Sequence, residues 1–156
     1  VSAPQLIAGE VNARGKKIAI VAARFNDLIV ASLLKGAQSA WLEHGGDAAN
    51  LTVVRVPGAF ELPLVAKRLA GSGRYDAIVA LGCVIRGDTP HFEYVAGEAA
   101  RGLQLTGLET GVPVAFGVLT VESLEQALAR AGPGAGNKGA EALESALEMA
   151  AVMARL

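Results

Sequence analysis

Residues 76–91 read DAIVALGCVIRGDTPH, and this stretch decides the fold. Its first ten residues are almost all apolar and hold three β-branched side chains, Ile78, Val79 and Val84, before Ile85. A run apolar on both faces is what a strand needs inside a parallel sheet covered by helices on each side. Gly87 permits a tight turn. Pro90 is a residue type favoured at the first helical position, where its missing N–H costs no hydrogen bond. A helix over 92–107 should therefore follow the strand directly.

The same handover recurs along the chain. Strands are expected at 16–23 (KKIAIVAA), 50–56 (NLTVVRV) and 112–120 (VPVAFGVLT). Helices are expected at 28–43, at 61–73 with its closing glycines, at 121–131 and at 138–155. Crossovers of this length indicate an α/β fold with a mostly parallel, four-stranded sheet. Residues 5–11 (QLIAGEV) form one more candidate strand in an arm over 1–15, placed to join a neighbouring subunit's sheet. No repeat, low-complexity tract or linker divides the chain, so residues 1–156 are read as one domain.

Composition narrows the function. Hydrophobic residues are 52% of the chain and charged residues 19%, which marks a core-rich folded protein. A mean hydropathy of +0.40 is high for a domain this small and suggests apolar surface covered by other copies of the chain. Net charge is −1 with the basic residues scattered, so no nucleic-acid or membrane partner is expected. No apolar run reaches the ~18 residues of a membrane span. The first residues lack a signal peptide's order of regions, and a cytoplasmic location is expected. One cysteine and two histidines offer neither a disulfide nor a dedicated metal site.

Open α/β sheets bind ligands beyond the carboxyl ends of their strands, so the segments after each strand hold the candidates. After the first, Phe25 is either a stacking platform for a flat heterocycle or a side chain packed on the next helix. Asn26 and Asp27 are good helix N-cap types. After the second, Pro57 and Gly58 shape a turn into Ala59, Phe60 and Glu61. Glu61 either answers the helix dipole or accepts hydrogen bonds from a polyhydroxylated ligand. After the third, the amides of Asp88 and Thr89 at a helix start make an anion site, although the Asp88 carboxylate opposes a phosphate. His91 stands next to that site, and histidine is a residue type that can give or take a proton in catalysis. Arg130 and Lys138 flank a Gly-rich turn. Arg130 suits a helix C-terminus, while Lys138 at a helix N-terminus opposes the dipole and hints at a nearby anion. His44 reads as a helix C-cap residue and Cys83 as a small buried hydrophobe.

Five blocks in this order, FN (25–26), VPGAFELP (56–63), ALGCVIRGDTPHF (80–92), GVPVAFGVLT (111–120) and RAGPGAGNKGAEA (130–142), resemble lumazine synthase. The resemblance spans about residues 16–153. It implies a flavodoxin-like three-layer αβα sandwich that condenses 5-amino-6-(D-ribitylamino)uracil with 3,4-dihydroxy-2-butanone 4-phosphate, the penultimate step of riboflavin biosynthesis. It implies Phe25 stacked on the pyrimidine with Asn26 nearby, main-chain contacts from Ala59, Phe60, Cys83, Val84 and Ile85, and Glu61 on the ribityl hydroxyls. The phosphate would meet Asp88 (through its amide alone) and Thr89, with His91 as the proton-transfer residue. Phe116, Arg130 and Lys138 would come from the adjacent subunit, Arg130 to the phosphate. The resemblance further implies no cofactor and no metal. It implies a homopentamer, with a short Gly-rich turn that goes with a 60-subunit icosahedral capsid, and riboflavin synthase is a candidate content of that shell. Two competing expectations are a non-catalytic flavin or lumazine carrier and a purely structural shell protein.

Overall fold

The computed structural model describes residues 2–156. Four strands, β1 (Ile18–Ala23), β2 (Leu51–Val56), β3 (Ala77–Ile85) and β4 (Val114–Val121), form one sheet in the order β2-β1-β3-β4. Every pairing is parallel, so the sheet is wholly and not merely mostly parallel. Central β1 is buried along its whole length, and β3 is buried up to Ile85. The edge strands β2 and β4 carry partly exposed positions, as strands with one open side do.

Five helices cover the sheet: α1 (Asp27–Glu43), α2 (Leu62–Ala70), α3 (His91–Thr110), α4 (Leu124–Ala131) and α5 (Lys138–Ala154). One core lies between the sheet and α1, α4 and α5, around Leu33, Trp41, Leu143 and Leu147. The other lies beneath α2 and α3, around Leu62, Ala66, Ala99 and Leu103. The result is the expected three-layer αβα sandwich. Helices α1 and α5 approach so closely that a β-carbon on Gly139 would overlap the Leu33 carbonyl. Among the described residues no helix is long and apolar enough to cross a membrane.

Residues 5–11 pair with no strand of their own chain. This arm instead runs against α5, where Arg155 donates to the Ala8 carbonyl at 3.0 Å and Gly9 lies too close to the Glu148 carbonyl to admit a side chain. Pro90 occupies the N-cap of α3, and not its first helical position, because its ψ of 4° lies outside the helical range. The helix therefore begins at His91. It runs on to Thr110, three residues beyond the expected end, and stops where Gly111 turns left-handed at φ 73°.

The chain winds outward from β1 to β2, then crosses back over β1 to β3 and on to β4. Strands β1 and β3 thus flank the point where the winding reverses, and a crevice at their carboxyl ends is built into the topology.

Candidate active site

Strand β3 extends beyond its partner. Its pairing with β1 ends at Leu81, opposite Ala22, while its pairing with β4 continues to Ile85. In a strand the N–H and C=O of one residue point to the same side, and successive residues alternate. The Arg86 amide donates to the Val121 carbonyl of β4 at 2.9 Å, so Val84 also faces β4 while Cys83 and Ile85 face the side that β1 has left. Cys83 and Ile85 therefore present main-chain groups to the crevice, and Val84 presents its side chain to the α2–α3 side.

The loops around this strand end are tied to one another. Arg24 and Phe25 donate backbone hydrogen bonds to the Val56 and Pro57 carbonyls at 2.8 and 2.9 Å, which sets the loop after β1 beside the loop after β2. Arg55 reinforces the junction, donating to the Ala22 and Ala23 carbonyls and pairing with Asp27. Asn26 occupies the N-cap position of α1 but leaves its own helix uncapped. Its amide donates to the Cys83 carbonyl at 2.8 Å, which binds the first loop to the end of β3.

A cavity of about 700 Å³ opens here, within the size range of small-molecule sites. Phe25, Ala59, Phe60 and Glu61 line one side. Cys83, Val84 and Ile85 form the floor, and Thr89 and His91 stand at the other side with Phe92 and Tyr94. Asn26 and Asp88 lie beside the cavity and not on its wall. Phe25 is 71% exposed and Phe60 58%, large aromatic surfaces left open at the mouth. The expectation that Phe25 packs on the following helix therefore fails, and the stacking alternative keeps its geometry.

Between β3 and α3, the amides of Gly87, Asp88 and Thr89 donate to no group among the described residues. The His91 amide reaches only the Thr89 hydroxyl, at 3.4 Å. Free N–H groups beside a helix N-terminus suit an anion. The His91 ring is exposed and makes no hydrogen bond among the described residues, so both nitrogens are open to the crevice. Burial drives the Cys83 thiol the other way from reactivity, pushing its pKa up to about 11.

Phe116, Arg130 and Lys138 lie elsewhere. They line a separate recess of about 360 Å³ along the outer edge of β4, between α4 and α5. Arg130 donates to its own helix at the Gln126 carbonyl, 2.9 Å away. Lys138 corrects an expectation: it needs no outside anion to explain its place, because Glu141 pairs with it at 3.1 Å one turn along α5.

Residues 15–154 match the family described as 6,7-dimethyl-8-ribityllumazine synthase. The chain belongs to the lumazine synthase family. It is 58% identical over 150 residues to the 6,7-dimethyl-8-ribityllumazine synthases of Nitratidesulfovibrio vulgaris strains DP4 and Hildenborough, with 96% of each chain covered. The enzyme of that name from strain Miyazaki F is 55% identical over the same length.

This lumazine synthase family member holds two residues, one framing the crevice and one between Arg130 and Lys138, that sequence patterns did not single out. Arg86 pairs with Glu122 at 2.8 Å and Glu93 at 3.1 Å, and its guanidinium stacks 4.4 Å over the Phe92 ring. The Glu93 hydrogen bond, with the charge of Glu122, raises its pKa above the ordinary arginine value. Arg86 thereby joins the start of α3 to the end of β4 and frames the turn before His91. Asn137 is the second; its place just before a lysine that opens a helix is the N-cap pattern that could have revealed it.

Proposed function

We propose that this chain is a lumazine synthase, condensing 5-amino-6-(D-ribitylamino)uracil with 3,4-dihydroxy-2-butanone 4-phosphate to give 6,7-dimethyl-8-ribityllumazine, phosphate and water. One observation carries the reading. A single crevice brings together a stacking face (Phe25), a carboxylate (Glu61), the main-chain edge at the end of β3 (Cys83 and Ile85), free amides for a phosphate (87–89) and an unengaged histidine (His91).

Each part has work to do. Phe25 stacks on the pyrimidine, and Ala59, Phe60 and Glu61 hold the ribityl chain, Glu61 by accepting from its hydroxyls. The edge of β3 at Cys83 and Ile85 hydrogen-bonds the uracil. Thr89 and the amides of the turn hold the phosphate, Asp88 through its backbone alone because its carboxylate repels the anion. The 5-amino group then attacks the ketone, and loss of one water gives an imine. Phosphate is eliminated, and ring closure releases a second water. Every step moves protons and none changes an oxidation state, so His91 serves as proton shuttle.

An amine and a ketone react without strong activation, and positioning of two partners is worth up to ~7–11 kcal/mol. General acid–base help is worth ~10²–10⁴-fold. Positioning therefore carries more of the rate than His91.

Phe116, Arg130 and Lys138 complete the crevice of a neighbouring subunit, Arg130 at the phosphate. Their separation from His91's cavity within one chain supports a shared site, as does the exposed aromatic mouth. The oligomer is a cyclic pentamer, and the short turn at 132–137 favours closure of twelve pentamers into a capsid, with riboflavin synthase a candidate content, in the cytoplasm.

Mixing the purified protein with both substrates and following the fluorescent lumazine tests the reading. Catalysed formation is expected. Tight binding of product without catalysed formation would leave a carrier instead, and binding of neither would leave a structural shell.

A further inference from the structure

We propose that Asn137 is a positioning residue that sets where Arg130 and Lys138 stand. The proposal rests on the function argued above, in which Arg130 reaches a neighbour's phosphate and Lys138 lines the same crevice.

Asn137 is 3% exposed, and it is one of two buried polar side chains among the described residues. Its Nδ2 lies 3.1 Å from the Ala131 carbonyl, 3.0 Å from that of Gly132 and 3.3 Å from that of Ser32 on α1. Two N–H groups serve three acceptors, so one bond is shared. Its Oδ1 accepts from the Ala140 amide at 3.0 Å. One side chain thus closes two helix ends. It satisfies the start of α5 in the ordinary N-cap manner. It also takes up the end of α4, whose next residue, Gly132, is extended (φ −67°, ψ 161°) and forms none of the left-handed glycine caps that usually occupy such carbonyls.

The two cations sit at the ends so clamped. Arg130 immediately precedes Ala131, and Lys138 immediately follows Asn137. Between them Gly134 and Gly136 hold positive φ, a flexible composition that gives the turn little stiffness of its own. The bond to Ser32 refers the whole turn to α1. Gly36 makes room for it, since any β-carbon there would overlap the Asn137 amide.

A residue that only capped α5 would be replaceable by any other N-cap type. The test uses Asn137→Ser, which keeps an oxygen for the Ala140 amide and loses the reach to the three carbonyls. Gly36→Ala is the second variant, displacing the clamp while leaving the turn's sequence intact. Steady-state kinetics on the assembled protein should show the KM for the butanone phosphate raised on the order of tenfold in both, since small misplacements near reacting groups cost up to ~10²-fold. The KM for the ribitylaminouracil should stay near wild type. Asn137→Ser should add little in an Arg130→Ala background, as expected when two residues act through one another. A wild-type butanone phosphate KM in both variants, equal rises for both substrates, or effects that multiply with Arg130→Ala would overturn the clamp. If Arg130→Ala itself leaves that KM unchanged, the phosphate reading fails and this proposal falls with it.

Discussion

The Asn26 side-chain amide donates to the Cys83 carbonyl at 2.8 Å, bridging β1's loop and β3's end across the reversal of the sheet. Asn26 is also the one non-glycine residue with positive φ among the described residues, at 62°. Asparagine tolerates that conformation better than most residues. Both properties serve the neighbouring Phe25, whose ring stands largely exposed at the cavity mouth. Asn26→Gly keeps the backbone conformation and removes the bridge. It should raise the KM for the ribitylaminouracil several-fold with little change in the butanone phosphate KM. Asn26→Ala should add a stability loss of about 1–2 kcal/mol from the strained φ, read by denaturant unfolding.

His91 should tune the reaction without deciding it. His91→Ala is expected to lower kcat by about 10²-fold, the lower end of acid–base contributions. Turnover should stay clearly above the uncatalysed rate. Loss of all catalysis in a folded His91→Ala assembly would reverse the ranking of positioning over proton transfer.

Arg130 and Lys138 should differ. Arg130 holds only a carbonyl of its own helix, while Lys138 already has Glu141. Arg130→Ala should chiefly raise the butanone phosphate KM, by about tenfold or more, in line with a lost charge-assisted hydrogen bond. Lys138→Ala should raise it less. Kinetics of the two variants side by side measure the difference.

Cys83 should be silent at neutral pH. Burial pushes its pKa up to about 11 from an ordinary 9.0, so the folded thiol stays protonated where the unfolded one ionises. Folding stability should therefore be unaffected by Cys83 below pH 9 and fall as pH rises from 9 to 11. Denaturant curves of wild type and Cys83→Ala should show a shallower decline for the variant over that window. Thiol reagents at pH 7 should label the protein only once it is unfolded.

The order and kind of the elements could be read from sequence because β1 and β3 are buried on both faces and their helices follow at once. Apolar runs and helical spacing record such burial directly. The location of the crevice followed from the same pattern, since loops at strand carboxyl ends carried Phe25, Glu61 and His91. What sequence could not give were contacts between distant segments. The Glu122–Arg86–Glu93 cluster joins residues from β4's end and α3's start, and no local pattern encodes it. Asn137's reach to Ser32 spans 105 positions. Lys138 misled for the opposite reason: dipole reasoning ignored Glu141, three residues away on the same face. The arm at 5–11 has a strand's composition but finds no strand edge inside its own chain.

The central claim is that one site is built from two chains, His91's cavity from one and Arg130's recess from another. Co-assembly tests it most directly. Arg130→Ala is mixed with a variant crippled on the other half, Glu61→Ala combined with His91→Ala, then unfolded, refolded together and assayed under conditions where each alone is nearly inactive. Random mixing in a ring of shared sites leaves about a quarter of the sites with both halves intact. The hybrid should regain about that fraction of wild-type activity. A hybrid no more active than the average of its two parents would contradict the claim and return the whole site to a single chain.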